Sequence, residues 1–271
     1  MKQLVKYKYF LLLHLVVLIF GFTAILGKLI ILDSQNIVWY RMLIASVSIF
    51  IYLLLRKKNY KISSQGLIRT LGIGIIIAAH WILFFEAIKQ SNVSITLAAL
   101  SSASMFTALI EPIFFKRKIY FYELILGGLV TLGLYFIFRF ETAQWLGITL
   151  AICSAFLASL FTVLNGKMIT KYPSNLISLY ELFGGFIAIS IYFIFSENIL
   201  LSSFKMNLSD FIYLMILGII CTAFAFVASV EVMKELSPFT VSLSINLEPV
   251  YGILLAFLCV GEEEKMSTGF Y

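Results

Sequence analysis

Charge is what this chain has least of. Of its 271 residues only 13% are Asp, Glu, Lys or Arg, against 61% hydrophobic, where a soluble domain carries roughly 25% charged residues. So much apolar surface cannot be hidden in one water-soluble core, and lipid must be the solvent for most of it. Three cysteines, Cys153, Cys221 and Cys259, all fall inside apolar runs. Their spacing suits neither metal ligands nor a disulfide framework, so they read as small core residues. There is no phosphate-cradling glycine loop, no HExxH and no Ser-x-x-Lys pattern. No cluster of His, Asp or Cys gathers at one membrane face, so no catalytic residue, metal site or cofactor is expected. The net charge of +6 does not point to nucleic acid, because the basic residues sit in loops between apolar runs.

What is present is a series of long apolar runs. A spanning helix needs about 20 mostly apolar residues. Nine runs qualify: 10–32, 37–55, 67–88, 93–115, 121–138, 145–167, 176–195, 211–232 and 239–260. They are continuous rather than alternating, which excludes membrane strands. The first follows Lys2, Lys6 and Lys8 but is too long for a signal peptide and lacks a cleavage site, so it reads as a retained helix. With the N-terminus cytoplasmic, the short inner loops hold far more Lys and Arg than the outer ones, among them Arg56, Lys57, Lys58, Lys116, Arg117 and Lys118. The outer side holds Lys28, Lys89, Arg139, Lys205 and Lys265. That asymmetry predicts an N-terminus in the cytoplasm.

The runs also repeat. Phe22-Thr23 with Gly27-Lys28 returns as Phe161-Thr162 with Gly166-Lys167. Tyr40-Arg41 returns as Tyr180-Glu181, and Glu86-x-x-Lys89 as Glu231-x-x-Lys234. An odd number of crossings separates the copies, so the second must lie upside down in the bilayer, an architecture of many secondary transporters. The expected fold is an all-α polytopic membrane protein with an inverted repeat of two five-helix halves, residues 1–140 and 141–271. Pairing Asn92 with Pro238 places the start of the fifth helix against Ser267, four residues before the last, Tyr271. Nine helices are therefore expected here, and the tenth is either cut off or absent.

Several stretches carry a family likeness: Gly27-Lys28, Tyr40-Arg41-Met42-Leu43, Phe85-Glu86-Ala87-Ile88-Lys89, and Leu247-Glu248-Pro249-Val250 followed by Gly261-Glu262. In order and spacing the chain resembles the EamA-type members of the drug/metabolite transporter superfamily. The resemblance implies export or exchange of small metabolites, such as amino acids, across a bacterial inner membrane. It leaves the substrate open.

An ionisable side chain at bilayer depth is costly unless it faces a cavity or a partner. Glu248 lies about 14 Å into its helix, near the midplane, and Pro249 kinks the backbone beside it. With Asn246, and with Ser101, Ser102 and Ser104 in the matching place of the first copy, it forms a candidate substrate site and proton carrier. The other reading makes Glu248 a hydrogen bonder to a neighbouring helix and the serines packing residues. Arg41 and Glu181 occupy equivalent stations and read either as attractors of a charged substrate or as side chains snorkelling to the interface. Tyr40 and Tyr180 read as interfacial anchors or path-lining residues, and His80-Trp81 as a helix–helix contact or a substrate contact. Asn165, opposite Leu26, is a specificity candidate. Glu111-Pro112 reads as an interfacial ion pair. Gly72, Gly74, Gly127, Gly128, Gly184 and Gly185 offer small surfaces for close helix packing. The expected function is a secondary transporter with alternating access, partnered by a small-molecule substrate, the lipid bilayer and protons, as a monomer or weak homodimer. The alternative is a membrane-embedded lipid-carrier flippase or transferase.

Overall fold

Each apolar run becomes helix because a chain in hydrocarbon must satisfy every backbone polar group internally. In the computed structural model, which describes residues 2–59, 61–140, 142–196 and 206–259, all described secondary structure is helical. The helices are α1 (Lys2–Leu29), α2 (Ser34–Leu55), α3 (Ser64–Gln90), α4 (Val93–Leu100), α5 (Ala103–Phe115), α6 (Phe121–Phe140), α7 (Trp145–Met168), α8 (Ser174–Phe195), α9 (Leu208–Gly218), α10 (Ala225–Glu231), α11 (Pro238–Ile245) and α12 (Glu248–Cys259). Seven stretches of the described residues are long and apolar enough to cross a membrane, among them Val93–Phe115 and Leu208–Lys234. The two remaining expected crossings fall on α6 and on α11 with α12. Lys205, Lys265, Gly261-Glu262 and the expected start of a tenth helix lie outside the described residues.

Three runs that read as continuous are interrupted. The run 93–115 breaks after Leu100, where the Ser101 and Ser102 amides turn to the carbonyls of Ala98 and Ala99, three residues back. The hydroxyls compete for the same backbone: Ser101 Oγ donates to Leu97, Ser102 Oγ to Ala99 and Ser104 Oγ to Ser101. The run 239–260 breaks after Ile245, whose carbonyl loses its helical donor because Pro249 has no N–H. Between α9 and α10, residues Ile219–Phe224 form a π-helical turn, with Thr222 Oγ1 donating five residues back to Leu217.

Both broken runs start alike. Asn92 caps α4 and Ser237 caps α11, and each cap is followed by eight helical residues. The caps therefore align Asn92 with Ser237 rather than with Pro238, so Ala103, not Ser102, stands opposite Glu248.

The direction of the chain follows from contacts at the two ends of α3. At its start, Ser63 meets the Tyr172 hydroxyl just past α7. At its far end, Lys89 donates to the Leu32 carbonyl and Ser34 donates to Glu86 at 2.8 Å, just past α1. Helices α1 and α7 thus finish at opposite ends of the bundle, and Lys28 and Lys167 with them. The Ser34–Glu86 bond has a twin at the other end, where Ser174 donates to Glu231 at 2.8 Å. Lys234 pairs with Glu231 as the spacing predicts, at 2.6 Å. Lys89 does not copy it, since its ammonium goes to Leu32 and Glu86 takes Gln90 instead.

The densest crossing lies between α3 and α8. A Cβ on Gly185 would sit 2.7 Å from the Gly74 carbonyl, and one on Gly184 2.7 Å from the Leu71 backbone. Gly72 and Gly128, in contrast, face open space. At the Lys167 end, Arg117 bridges Glu111 at 3.1 Å and Glu123 at 2.8 Å, tying α5 to α6. Glu111 also accepts from the Phe239 amide at the start of α11. Burial opposes the Arg117 charge, but its bonds to Glu123 and Glu111 prevail and hold its pKa above the ordinary arginine value.

Candidate functional site

Where the broken helices meet the long ones, the bundle encloses a cavity of about 90 Å³. Its charged and polar lining comes from α1 (Thr23), α2 (Arg41), α3 (His80), α7 (Thr162, Asn165), α10 (Ser229), α11 (Ser242) and α12 (Glu248). Trp81, Phe84, Phe161 and Phe226 supply aromatic walls.

Arg41 is 1% exposed, so it does not snorkel. It sits two turns into α2, and the π turn across from it presents Thr222, whose hydroxyl accepts from Arg41 Nε at 2.6 Å. The guanidinium lies 3.7 Å from the centre of the Trp81 ring, a desolvated cation–π contact. Its Nη1 has no hydrogen-bond partner. Glu248 opens α12 at 5% exposure and lines the same cavity, but no ion pair within 4 Å joins it to Arg41 among the described residues. Arg41 and Glu248 thus share one small cavity with no ion pair between them. A buried charge in that condition is expensive, and a ligand bearing complementary groups would relieve both.

His80 lines the cavity with its ring held from α7. Its Nδ1–H donates to the Ser154 carbonyl at 2.9 Å, and Ser154 Oγ donates back to the His80 carbonyl at 2.9 Å. His80 therefore joins two helices, and both His80 and Trp81 line the cavity. Trp81 also packs edge-on against Phe226, the residue at its place in the second copy.

The expected serine and asparagine patch is placed differently. Asn246 Nδ2 donates to Ser104 Oγ at 2.9 Å, tying the two breaks together. Ser101, Ser102, Ser104 and Asn246 do not line the cavity, whereas their neighbours Leu100, Ala103, Ile245 and Glu248 do. The hydroxyls are spent on the backbone of the break itself. Tyr40 packs edge-on against Trp39, away from the cavity. Tyr180 faces an apolar groove of about 320 Å³ with Leu43, Phe50 and Phe183. Glu181, fully buried at 0% exposure, is not in the lining. It accepts from Asn165 Nδ2 at 3.2 Å, and Asn165 is the one that reaches the cavity.

Sequence reasoning passed over Thr23, Thr162, Ser229 and Ser242, all of which line the cavity. The two threonines were within reach, because they belong to the repeated Phe-Thr-x-x-x-Gly-Lys motif. Ser242 is engaged by Thr107, whose hydroxyl donates to it at 3.1 Å.

Long apolar helices, interrupted where they surround a cavity lined by buried ionisable side chains, define a polytopic membrane protein with an internal cavity. The chain belongs to the EamA-like transporter family, whose pattern matches residues 7–139 and again 145–268. A curated relative from Clostridium kluyveri (strain ATCC 8527 / DSM 555 / NBRC 12016 / NCIMB 10680 / K1), described as an uncharacterized transporter, is 27% identical over 123 residues. That match spans 45% of this chain and 39% of the relative. A protein of known crystal structure shares the fold at a TM-score of 0.72 and 15% identity, covering 98% of this chain and 92% of that one.

Proposed function

We propose that the chain is a secondary transporter, an exporter or exchanger of small metabolites such as amino acids, working by alternating access about the Arg41–Glu248 cavity. The observation that carries this is that buried Arg41 and Glu248, not bonded to one another, face one cavity where two broken helices meet. Interrupted helices around a central site are how transporters combine a polar binding place with a membrane span. The cavity, about 90 Å³, is smaller than the roughly 300 Å³ at which drug-sized pockets begin, which favours a few-atom metabolite. The two halves, 1–140 and 141–271, rock against each other as inverted repeats. Support comes from the opposite ends reached by α1 and α7 and from the twin Ser34–Glu86 and Ser174–Glu231 bonds. The N-terminus lies in the cytoplasm and the protein in the inner membrane, as the Lys and Arg asymmetry suggests. Glu248 is the proton carrier, and its protonation leaves Arg41 as the charged group that a substrate anion meets in the cavity. No residue acts as a catalyst, and the unit is a monomer or weak homodimer.

The test is melting of the detergent-purified protein against a library of soluble metabolites and polyprenyl lipids. A saturable rise with a soluble metabolite is expected. A response to polyprenyl lipid alone would replace the proposal with a lipid-carrier flippase or transferase.

A further inference from the structure

The buried polar atoms without partners are not scattered. Four such atoms occur among the described residues, and three lie on Glu181 Oε1, Asn165 Oδ1 and Ser178 Oγ. Ser178 and Glu181 are three apart on α8, so their side chains share a face. Asn165 comes across from α7 and already touches the other Glu181 oxygen at 3.2 Å. All three side chains are at most 1% exposed. A carboxyl oxygen, an amide oxygen and a hydroxyl are thus buried without partners where α7 faces α8.

Charge gives the same answer. Arg41 and Glu248 at least share one cavity, each with an opposite group near it. Among the described residues no Lys, Arg or His pairs with Glu181. A lone buried carboxyl is left over, and such a group is kept only with a proton or a cation to compensate it. In the first half the same three stations hold Arg41, Leu26 and Val38. One half carries its cation covalently. The other presents oxygen ligands where a cation would sit.

We propose that Glu181, Asn165 and Ser178 form a binding site for one small monovalent cation, Na⁺, next to the substrate cavity and sharing Asn165 with it. Oxygen donors of these kinds suit a hard cation. A single charge balances the single carboxylate, which disfavours Ca²⁺. Asn165 belongs to both places, so an ion on Glu181 and a substrate in the cavity would share a contact.

The test is melting of the purified protein without substrate, at fixed pH and ionic strength, in NaCl, KCl, CaCl₂ or choline chloride. NaCl is expected to raise the melting temperature saturably, by about 3 °C or more, with KCl, CaCl₂ and choline chloride inert. Ser178→Ala and Asn165→Leu, the latter copying Leu26, should each weaken the apparent sodium affinity by about tenfold or more. Glu181→Gln should lose the response; if it does not fold, the other two variants decide. Melting that ignores the identity of the cation overturns the proposal, as does a sodium response unchanged in Ser178→Ala and Asn165→Leu. Melting that follows pH but not sodium would put a proton on Glu181 and overturn it too. No transport is measured, so failure here is separable from failure of the substrate site.

Discussion

Arg41 and Glu181 stand at the same station, the eighth residue of α2 and of α8. Both are fully buried, yet they solve burial in opposite ways. Arg41 is given a platform, Trp81, and a hydroxyl, Thr222, from a helix locally rewound to reach it. Glu181 is given one amide and otherwise left open. The first arrangement spreads a delocalised cation over an aromatic face beside a cavity. The second leaves ligand positions vacant on a carboxylate. Duplication therefore supplied one backbone frame, and the divergence of a few side chains turned its two stations into sites of opposite sign.

The largest expected effect tests the frame behind Glu181. Gly185→Val drives a side chain into the Gly74 carbonyl and should cost about 3 kcal/mol or abolish folded protein. Gly72→Ala, in open space two residues from Gly74, should melt at or above the wild-type temperature. Equal melting of the two variants in a detergent thermal scan would remove the close α3–α8 crossing from the account.

Next comes the charge contrast itself. Arg41→Met should lose the metabolite-induced melting shift, because bonds to a charged group are worth roughly 1.5–3 kcal/mol, an affinity loss of about tenfold to a hundredfold. Arg41→Lys should not restore it, since an ammonium cannot both lie flat on Trp81 and hold Thr222. Glu181→Gln should lose the sodium-induced shift instead. If both variants lose the same shift, the two stations are one site.

Glu248→Gln mimics the protonated acid and keeps its shape. Substrate binding should persist while the pH dependence of transport disappears. Normal transport across a pH series would make Glu248 a structural hydrogen bonder.

The smallest effect contrasts the two lysines of the repeated Glu-x-x-Lys pattern. Lys89, whose ammonium is withdrawn onto the Leu32 carbonyl, should cost about 1 kcal/mol on replacement by Ala. Lys234, in an exposed ion pair with Glu231, should cost about 0.5 kcal/mol or less. Chemical denaturation in mild detergent reads the difference, and the reverse order would contradict the assignment.

Helices and their order were legible because hydrocarbon demands long apolar runs, and the repeated motifs survive as residue types at nearly constant spacing. The breaks were only half legible. Pro249 announces one, whereas the other rests on serine hydroxyls competing for backbone carbonyls, a pattern that also occurs in unbroken helices. The π turn at Ile219–Phe224 has no periodic signature, because one extra residue in a turn leaves an apolar run apolar. The candidate site was legible in its charges. Glu248, Arg41, Trp81, His80 and Asn165 all reach the cavity, since an ionisable or polar residue in a span stands out. Depth alone could not say which way a side chain points, so the serine patch was placed in the cavity and the repeated threonines were not. Burial of Arg41 depends on Thr222, 181 residues away, and no local pattern encodes such a pairing.

The central claim is that the Arg41–Glu248 cavity is where substrate binds during transport. Its most direct test is exchange of the best-stabilising metabolite in proteoliposomes by wild type and Arg41→Met, both shown to be folded. The account predicts saturable exchange by wild type and at least about a tenfold loss in Arg41→Met. Undiminished exchange by Arg41→Met would contradict it.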